Sequence, residues 1–207
     1  MLHAPKQGLD SWLREYADTV SQTVKLAHAT MLDGRAIGIG EAIEWAATTA
    51  RKTHDDGNKL IFIGNGGSAG IASHMATDYS KNGNLRATAF NDASTLTCLG
   101  NDYGYEHVFA KQIEFHARPG DLLIAISSSG SSKNILRAVQ AARVARCQVL
   151  TLSGFRADNP LRKLGDLNIY LDATFYGFVE IGHLIMCHAI LDYNMEREGG
   201  AAAGLKL

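Results

Sequence analysis

The sequence predicts an α/β domain, a parallel sheet of five strands with helices on both sides, preceded by a pair of helices. Three observations carry this. Short apolar runs recur at 60–63, 87–90, 122–126, 149–152 and 167–171. None alternates cleanly between apolar and polar residues, as expected for strands covered on both faces. Segments of helical character, at about 69–81, 132–145 and 176–197, separate most of these runs or follow them, and strands taking turns with helices argue for a parallel sheet. Right-handed crossovers then place ligands outside the carboxyl ends of the strands.

Residues 8–56 read as two helices. Leu9, Trp12, Leu13, Tyr16, Val20, Val24 and Ala27 form one stripe at three- and four-residue steps, and Ile37, Ile39, Ala42, Ile43, Ala46 and Ala47 form another. Asp33-Gly34 is the expected break, and His54-Asp55-Asp56-Gly57-Asn58 ends the second helix with turn chemistry. Two helices cannot bury these stripes alone, so the hairpin is expected to pack on the sheet or on another copy of the chain. The expected division is a helical hairpin at 1–57, a domain at 58–198 and a loose glycine- and alanine-rich tail at 199–207.

The chain has 207 residues, 46% hydrophobic and 20% charged, with a formal net charge of −1. That is enough apolar material for a core, which excludes wholesale disorder. No overall positive field gathers nucleic acid or an anionic membrane, so an anionic ligand needs a local site. Cys98, Cys147 and Cys187 are odd in number and form no CxxC pair, which fits a reducing cytoplasm better than a disulfide framework. The charged opening segment lacks the apolar stretch of a signal peptide, and HLIMCHAIL is too short to span a bilayer. A soluble cytoplasmic protein without membrane or nucleic-acid partners is expected.

Two strand-to-helix turns are built for an anion. In Gly64-Asn65-Gly66-Gly67-Ser68 the glycines permit left-handed backbone and close approach of a ligand. The helix that follows opens with unpaired amides and the positive end of its dipole. No Gly-Lys-Ser/Thr follows, so this is not a Walker loop. The second turn, Ser127-Ser128-Ser129-Gly130-Ser131-Ser132, adds hydroxyl donors where a buried strand meets a helix. Helix capping alone would explain some of these serines, but a flexible linker has no place there. Phosphate is the expected ligand, with Ser127, Ser129 and Ser132 as preferred contacts, Ser128 beside them, and Ser68 contributing from the first turn.

Acid–base candidates lie on two helices. His74 and Asp78, four residues apart, share a face, and Glu180, His183 and His188 interrupt the apolar stretch 179–191. Polar groups in such surroundings have partners or a task. Nitrogen and oxygen donors of this kind suit zinc, and also manganese or iron.

The glycine turn, Asn101-Asp102-Tyr103-Gly104-Tyr105 and the serine turn, in that order, resemble the sugar-isomerase (SIS) domain, and within it the phosphoheptose isomerases. The resemblance covers nearly the whole chain. It implies a five-stranded flavodoxin-like core, a homotetramer with active sites between subunits, and conversion of a ketose phosphate to an aldose phosphate, with sedoheptulose 7-phosphate as substrate and zinc often bound. It also implies Asp78 as base and His188 as proton donor. His74, Asp78, Glu180 and His188 would hold the metal, while Asn65, Gly66, Gly67, Ser68, Asp102, the serines of the second turn and Glu180 would contact substrate. Spacing alone favours His183, three residues after Glu180; the resemblance ranks it second to His188.

Three departures from the resembled pattern stand out. Asp78 replaces a Glu and is shorter by about 1.5 Å. Glu180 replaces a Gln, which makes the ligand set more anionic. Gly177-Phe178 stands where an Arg beside an Asp is usual, which predicts an altered sugar pocket. The other expectations weighed are a tetrameric SIS scaffold that binds a protein without catalysis, of the type associated with a replication initiator, and an isomerase of another ketose phosphate. A SIS transcription regulator is disfavoured because no basic DNA-binding helix pair precedes the domain.

Overall fold

The computed structural model describes residues 8–199; residues 1–7 and the expected tail from residue 200 onward lie outside the described part. Five parallel strands are present: β3 (Leu60–Gly64), β4 (Ala87–Ala89), β5 (Leu122–Ser127), β6 (Gln148–Ser153) and β7 (Leu167–Tyr170). Their spatial order is β4-β3-β5-β6-β7, which is second, first, third, fourth, fifth, the flavodoxin-like arrangement.

The sheet has seven strands rather than five. β1 (His28–Met31) and β2 (Ala36–Ile37) extend the β7 edge, with β1 antiparallel to β7 through pairs such as Ala29 with Ile169. The expected helix break at Asp33-Gly34 is thus the tip of a β-hairpin. Gly34 takes a left-handed φ of 85°, the Arg35 amide donates to Asp33 Oδ1 at 2.9 Å, and the Met31 amide closes the turn on the Arg35 carbonyl. A two-residue β2 leaves no alternation to recognise, and Ile37 belongs to it rather than to the helix that follows.

Two hydrophobic clusters sandwich the sheet. Leu60, Phe62, Leu122, Ile124, Leu150 and Leu152 face helices α2 (Ile39–Asp55), α3 (Gly67–Lys81) and α7 (Tyr176–Arg197). Ile61, Ile63, Leu123, Ala125 and Val149 face α5 (Val108–His116) and α6 (Lys133–Val144) on the other side. Successive side chains of each strand therefore enter different cores, the physical reason these runs are apolar throughout. On α7 the buried positions Val179, Gly182, His183, Met186, Cys187, Ile190, Leu191 and Asn194 form a continuous helical stripe.

A helical segment that the apolar pattern does not announce spans α4 (Ala93–Tyr103), a 3-10 turn at Tyr105–His107, and α5. Helix α1 (Leu9–Lys25) packs on α7 but buries only Val20 and Thr23. Leu9, Trp12 and Leu13 remain exposed.

Candidate active site

The glycine turn and the serine turn leave adjacent strands. β3 and β5 pair in parallel up to Gly64 and Ile126, and their helices α3 and α6 depart to opposite faces of the sheet. This is the topological switch point of the fold, where an open α/β sheet leaves a crevice. The crevice here is a cleft of about 290 Å³ lined by Asn65, Gly66, Gly67, Ser68, Ser127, Ser128, Ser129, Ser132, Tyr176 and Glu180.

Gly66, with φ of 54°, caps α3; its carbonyl accepts from the Ala69 and Gly70 amides at 3.0 and 3.2 Å, while the Gly67 and Ser68 amides come before the first intrahelical acceptor. In the serine turn the Gly130 amide donates to the carbonyl and hydroxyl oxygens of Ser127 at 3.1 and 3.2 Å. Gly130 itself has φ of 60°, and the Asn159 side chain occupies the place a Cβ would take. Backbone bonds from Gly154 to the Ser128 carbonyl and from Leu161 to the Gly130 carbonyl tie this turn to the segment after β6. The buried Ser128 Oγ finds no partner among the described residues. A hydroxyl left unpaired in the wall of a cleft is suited to a ligand oxygen.

Helices α3 and α7 run side by side. Near their starts the Glu180 carboxylate lies against Gly67, where a Cβ would collide with it. Two turns further along α7, His188 meets His74 and Asp78. One ligand atom from each of the three lies within 4.8 Å of the others. His74 Nε2 is 3.4 Å from Asp78 Oδ2, and the two imidazole rings meet edge-on at 5.5 Å. Buried Tyr79 donates to the Cys187 carbonyl at 3.0 Å and fixes the helices at this level. The donor set fits a divalent ion: two imidazoles and a carboxylate are a common three-ligand zinc set with one position open. The 3.4 Å separation matches the edge of a tetrahedron with arms of about 2.1 Å.

The expected site residues are thus divided by position. The glycine-turn and serine-turn residues and Glu180 line the cleft, while His74, Asp78 and His188 gather beside one another on α3 and α7. Glu180, the fourth ligand implied by resemblance, stands apart from that trio at the start of α7. Asp102 lies on exposed α4, bonded to Asn101 Nδ2 at 2.9 Å, and does not line the cleft. Tyr176 does, packed edge-on against Phe155 at 4.9 Å; its aromatic neighbours at 175 and 178 were the available signal.

His183 faces the opposite way. It is fully buried, and its Nε2 donates to the Ser153 carbonyl at 3.1 Å. Burial drives its pKa down to about 4, the bond to Ser153 only partly opposing this. It is therefore a neutral core residue. The unfolded chain takes up a proton on this side chain near pH 6.5 and the folded chain does not, so the protein loses stability as pH falls from 6.5 towards 4. The loss is on the order of 3 kcal/mol over that window. Urea denaturation at pH 7 and pH 5 should show a drop that is smaller in a His183→Gln variant; equal drops would contradict the assignment.

A family model described as the SIS domain matches residues 16–154. The phosphoheptose isomerase of Aliarcobacter butzleri is 35% identical over 171 residues, covering 80% of this chain and 90% of that protein. That of Helicobacter pylori is 34% identical over 173 residues, covering 81% and 90%. The chain belongs to the phosphoheptose isomerase family of SIS-domain proteins. Solved members of the phosphoheptose isomerase family superpose closely. The structure from Neisseria gonorrhoeae has a TM-score of 0.76 at 29% identity, over 89% of this chain and 98% of that one. The structure from Francisella tularensis has 0.77 at 25%, over 91% and 96%.

Proposed function

We propose that this chain isomerises sedoheptulose 7-phosphate to D-glycero-D-manno-heptose 7-phosphate through an enediol. The observation that carries the proposal is the pairing of an anion cleft at the switch point with a His-Asp-His group on the two helices that wall it. Curated relatives that bear the name phosphoheptose isomerase support it.

The phosphate sits among the first amides of α3 and the hydroxyls of Ser68, Ser127, Ser129 and Ser132, where it needs no lysine or arginine because oriented amides supply the positive field. Eight residues from Glu180 to His188 advance about 12 Å along α7. An extended seven-carbon chain reaches roughly 9 Å from phosphorus to its first carbons, a comparable length. Asp78 Oδ2 faces His74, leaving Oδ1 to take the proton that moves between C1 and C2. His188 returns a proton to the oxygens of the same carbons. Zinc, or a similar divalent ion held by His74, Asp78 and His188, would supply polarisation of those oxygens. Anchoring the distant phosphate turns this proton shuttle into a positioned, effectively unimolecular event.

The assembly proposed is a homotetramer with sites between copies. Exposed Leu9, Trp12 and Leu13 on α1 and Phe175, Ile181 and Ile185 at α7 offer the apolar surface for it. A reducing cytoplasm suits the three free cysteines, and no helix among the described residues is long and apolar enough to cross a membrane.

The deciding experiment incubates the enzyme with sedoheptulose 7-phosphate in heavy water and follows deuterium at C2 of the aldose product. Incorporation with turnover is expected. In a Ser129→Ala variant the KM should rise about tenfold, the effect of one hydrogen bond to a charged group. No exchange by the metal-loaded protein would leave a binding scaffold as the better description.

A further inference from the structure

We propose that Tyr105 and Asn134 are positioning residues that make the Asn65 amide a donor directed at the bound anion. Asn65 lines the cleft from the glycine turn, and Asn134 sits in the first turn of α6, 3% exposed. The two side chains form a reciprocal pair across the switch point: Asn65 Nδ2 donates to Asn134 Oδ1 at 2.9 Å, and Asn134 Nδ2 donates to Asn65 Oδ1 at 2.8 Å. The Tyr105 hydroxyl donates to the same Asn65 Oδ1 at 3.0 Å.

The sense of these bonds is fixed by the backbone. The Ile135 amide, shared with the Ser132 carbonyl at 3.0 Å, lies 3.0 Å from one end of the Asn134 side chain. A backbone N–H can only donate, so that end is the oxygen. Asn134 must then offer its NH₂ to Asn65 and accept from it, which orients Asn65 in turn. The consequence is a matter of valence. Asn65 Oδ1 has two lone pairs and two donors, so it is saturated. Asn65 Nδ2 has two hydrogens and, among the described residues, one acceptor, so one N–H is left over. An asparagine ordinarily offers a ligand either sense; this one has only a donor left to give. It suits a phosphate or sugar oxygen and rejects a group that needs an acceptor. Tyr105 is held in reach because the neighbouring Glu106 pairs with Arg137 of α6 at 3.3 Å. Nothing in the phosphate scheme above uses Tyr105 or Asn134.

The inference deepens the isomerase proposal and rests on it for the identity of the anion. Its test uses inorganic phosphate as the probe, titrated calorimetrically into the full-length protein, alongside steady-state kinetics with sedoheptulose 7-phosphate. Tyr105→Phe removes one hydroxyl from a side chain that is 62% exposed. It should weaken phosphate binding about three- to tenfold, with KM rising in parallel and kcat little affected, the size expected for loosening one charge-assisted bond. Asn65→Asp replaces the donor with a carboxylate and should weaken phosphate binding by about thirtyfold or more. A purely structural role would instead lower the thermal midpoint and leave phosphate affinity in place. Turnover by the wild type together with unchanged phosphate affinity in both variants overturns the role of the amide and spares the isomerase proposal. Loss of phosphate affinity in both variants of a chain that does not turn over the sugar upholds the amide's role and overturns the isomerase.

Discussion

Asp78→Asn should lower kcat for sedoheptulose 7-phosphate at least a thousandfold and leave the fold in place. The substitution keeps the shape of the side chain and removes the only carboxylate in the trio with His74 and His188. Positioned proton transfer contributes about a hundred- to ten-thousandfold to such reactions. Loss of an anionic donor also weakens a divalent ion held by the two imidazoles, so metal content after dialysis should fall with the rate. Stability should change little: Asp78 is partly exposed and its contact with His74 spans one turn of the helix surface at 3.4 Å, an interaction of about 0.5 kcal/mol or less. The measurement pairs single-turnover kinetics with thermal unfolding. A variant that keeps both its fold and its turnover would move the base elsewhere, with Glu180, the carboxylate that lines the cleft, as the next candidate.

The strands and the two strand-to-helix turns were legible because local chemistry dictates them. A run such as Leu60–Ile63 must be covered on both faces, and glycines directly after such a run mark the tight turn into the helix that follows. The β-hairpin at 28–37 was not legible, since its strands are four and two residues long and gain their meaning only by joining the β7 edge. Helix α4 escaped for another reason: it buries only Leu99 along its length, so it lacks a stripe to read. Choosing between His183 and His188 required the rotation of α7 about its axis. A spacing of three from Glu180 points His183 into the core behind Ser153, whereas His188 reaches the neighbouring helix. Asp102, attached to the site only by resemblance, stays on the exposed face of α4. The Asn65–Asn134 pair joins residues sixty-nine positions apart, beyond the reach of any local pattern.

Gly64→Ala should be a strongly damaging single-methyl change, and for a reason that links fold to site. A Cβ at residue 64 would lie 2.5 Å from the Ser68 carbonyl oxygen, 2.6 Å from its carbon and 2.8 Å from the Ser68 Cβ. The first two obstacles are backbone, so no side chain can swing aside. Either β3, hydrogen-bonded to β4 and β5 on its two sides, or the start of α3 must shift. Overpacking of this kind costs about 3 kcal/mol, and any shift carries Ser68 and the first amides of α3 away from the cleft. Denaturation in urea should therefore show a lowered midpoint, and phosphate affinity should fall with it. Two other glycines separate crowding from the mere presence of a methyl group. At Gly67 the obstacle is the tip of Glu180, which can rotate away, so Gly67→Ala should spare stability while displacing that carboxylate. At Gly70, inside α3, nothing lies within 4 Å, and Gly70→Ala should add about 0.5–1 kcal/mol by favouring the helix. Equal stability of Gly64→Ala and wild type would mean that the turn is not packed against α3 as described, and the cradle for the phosphate would lose its rigid floor.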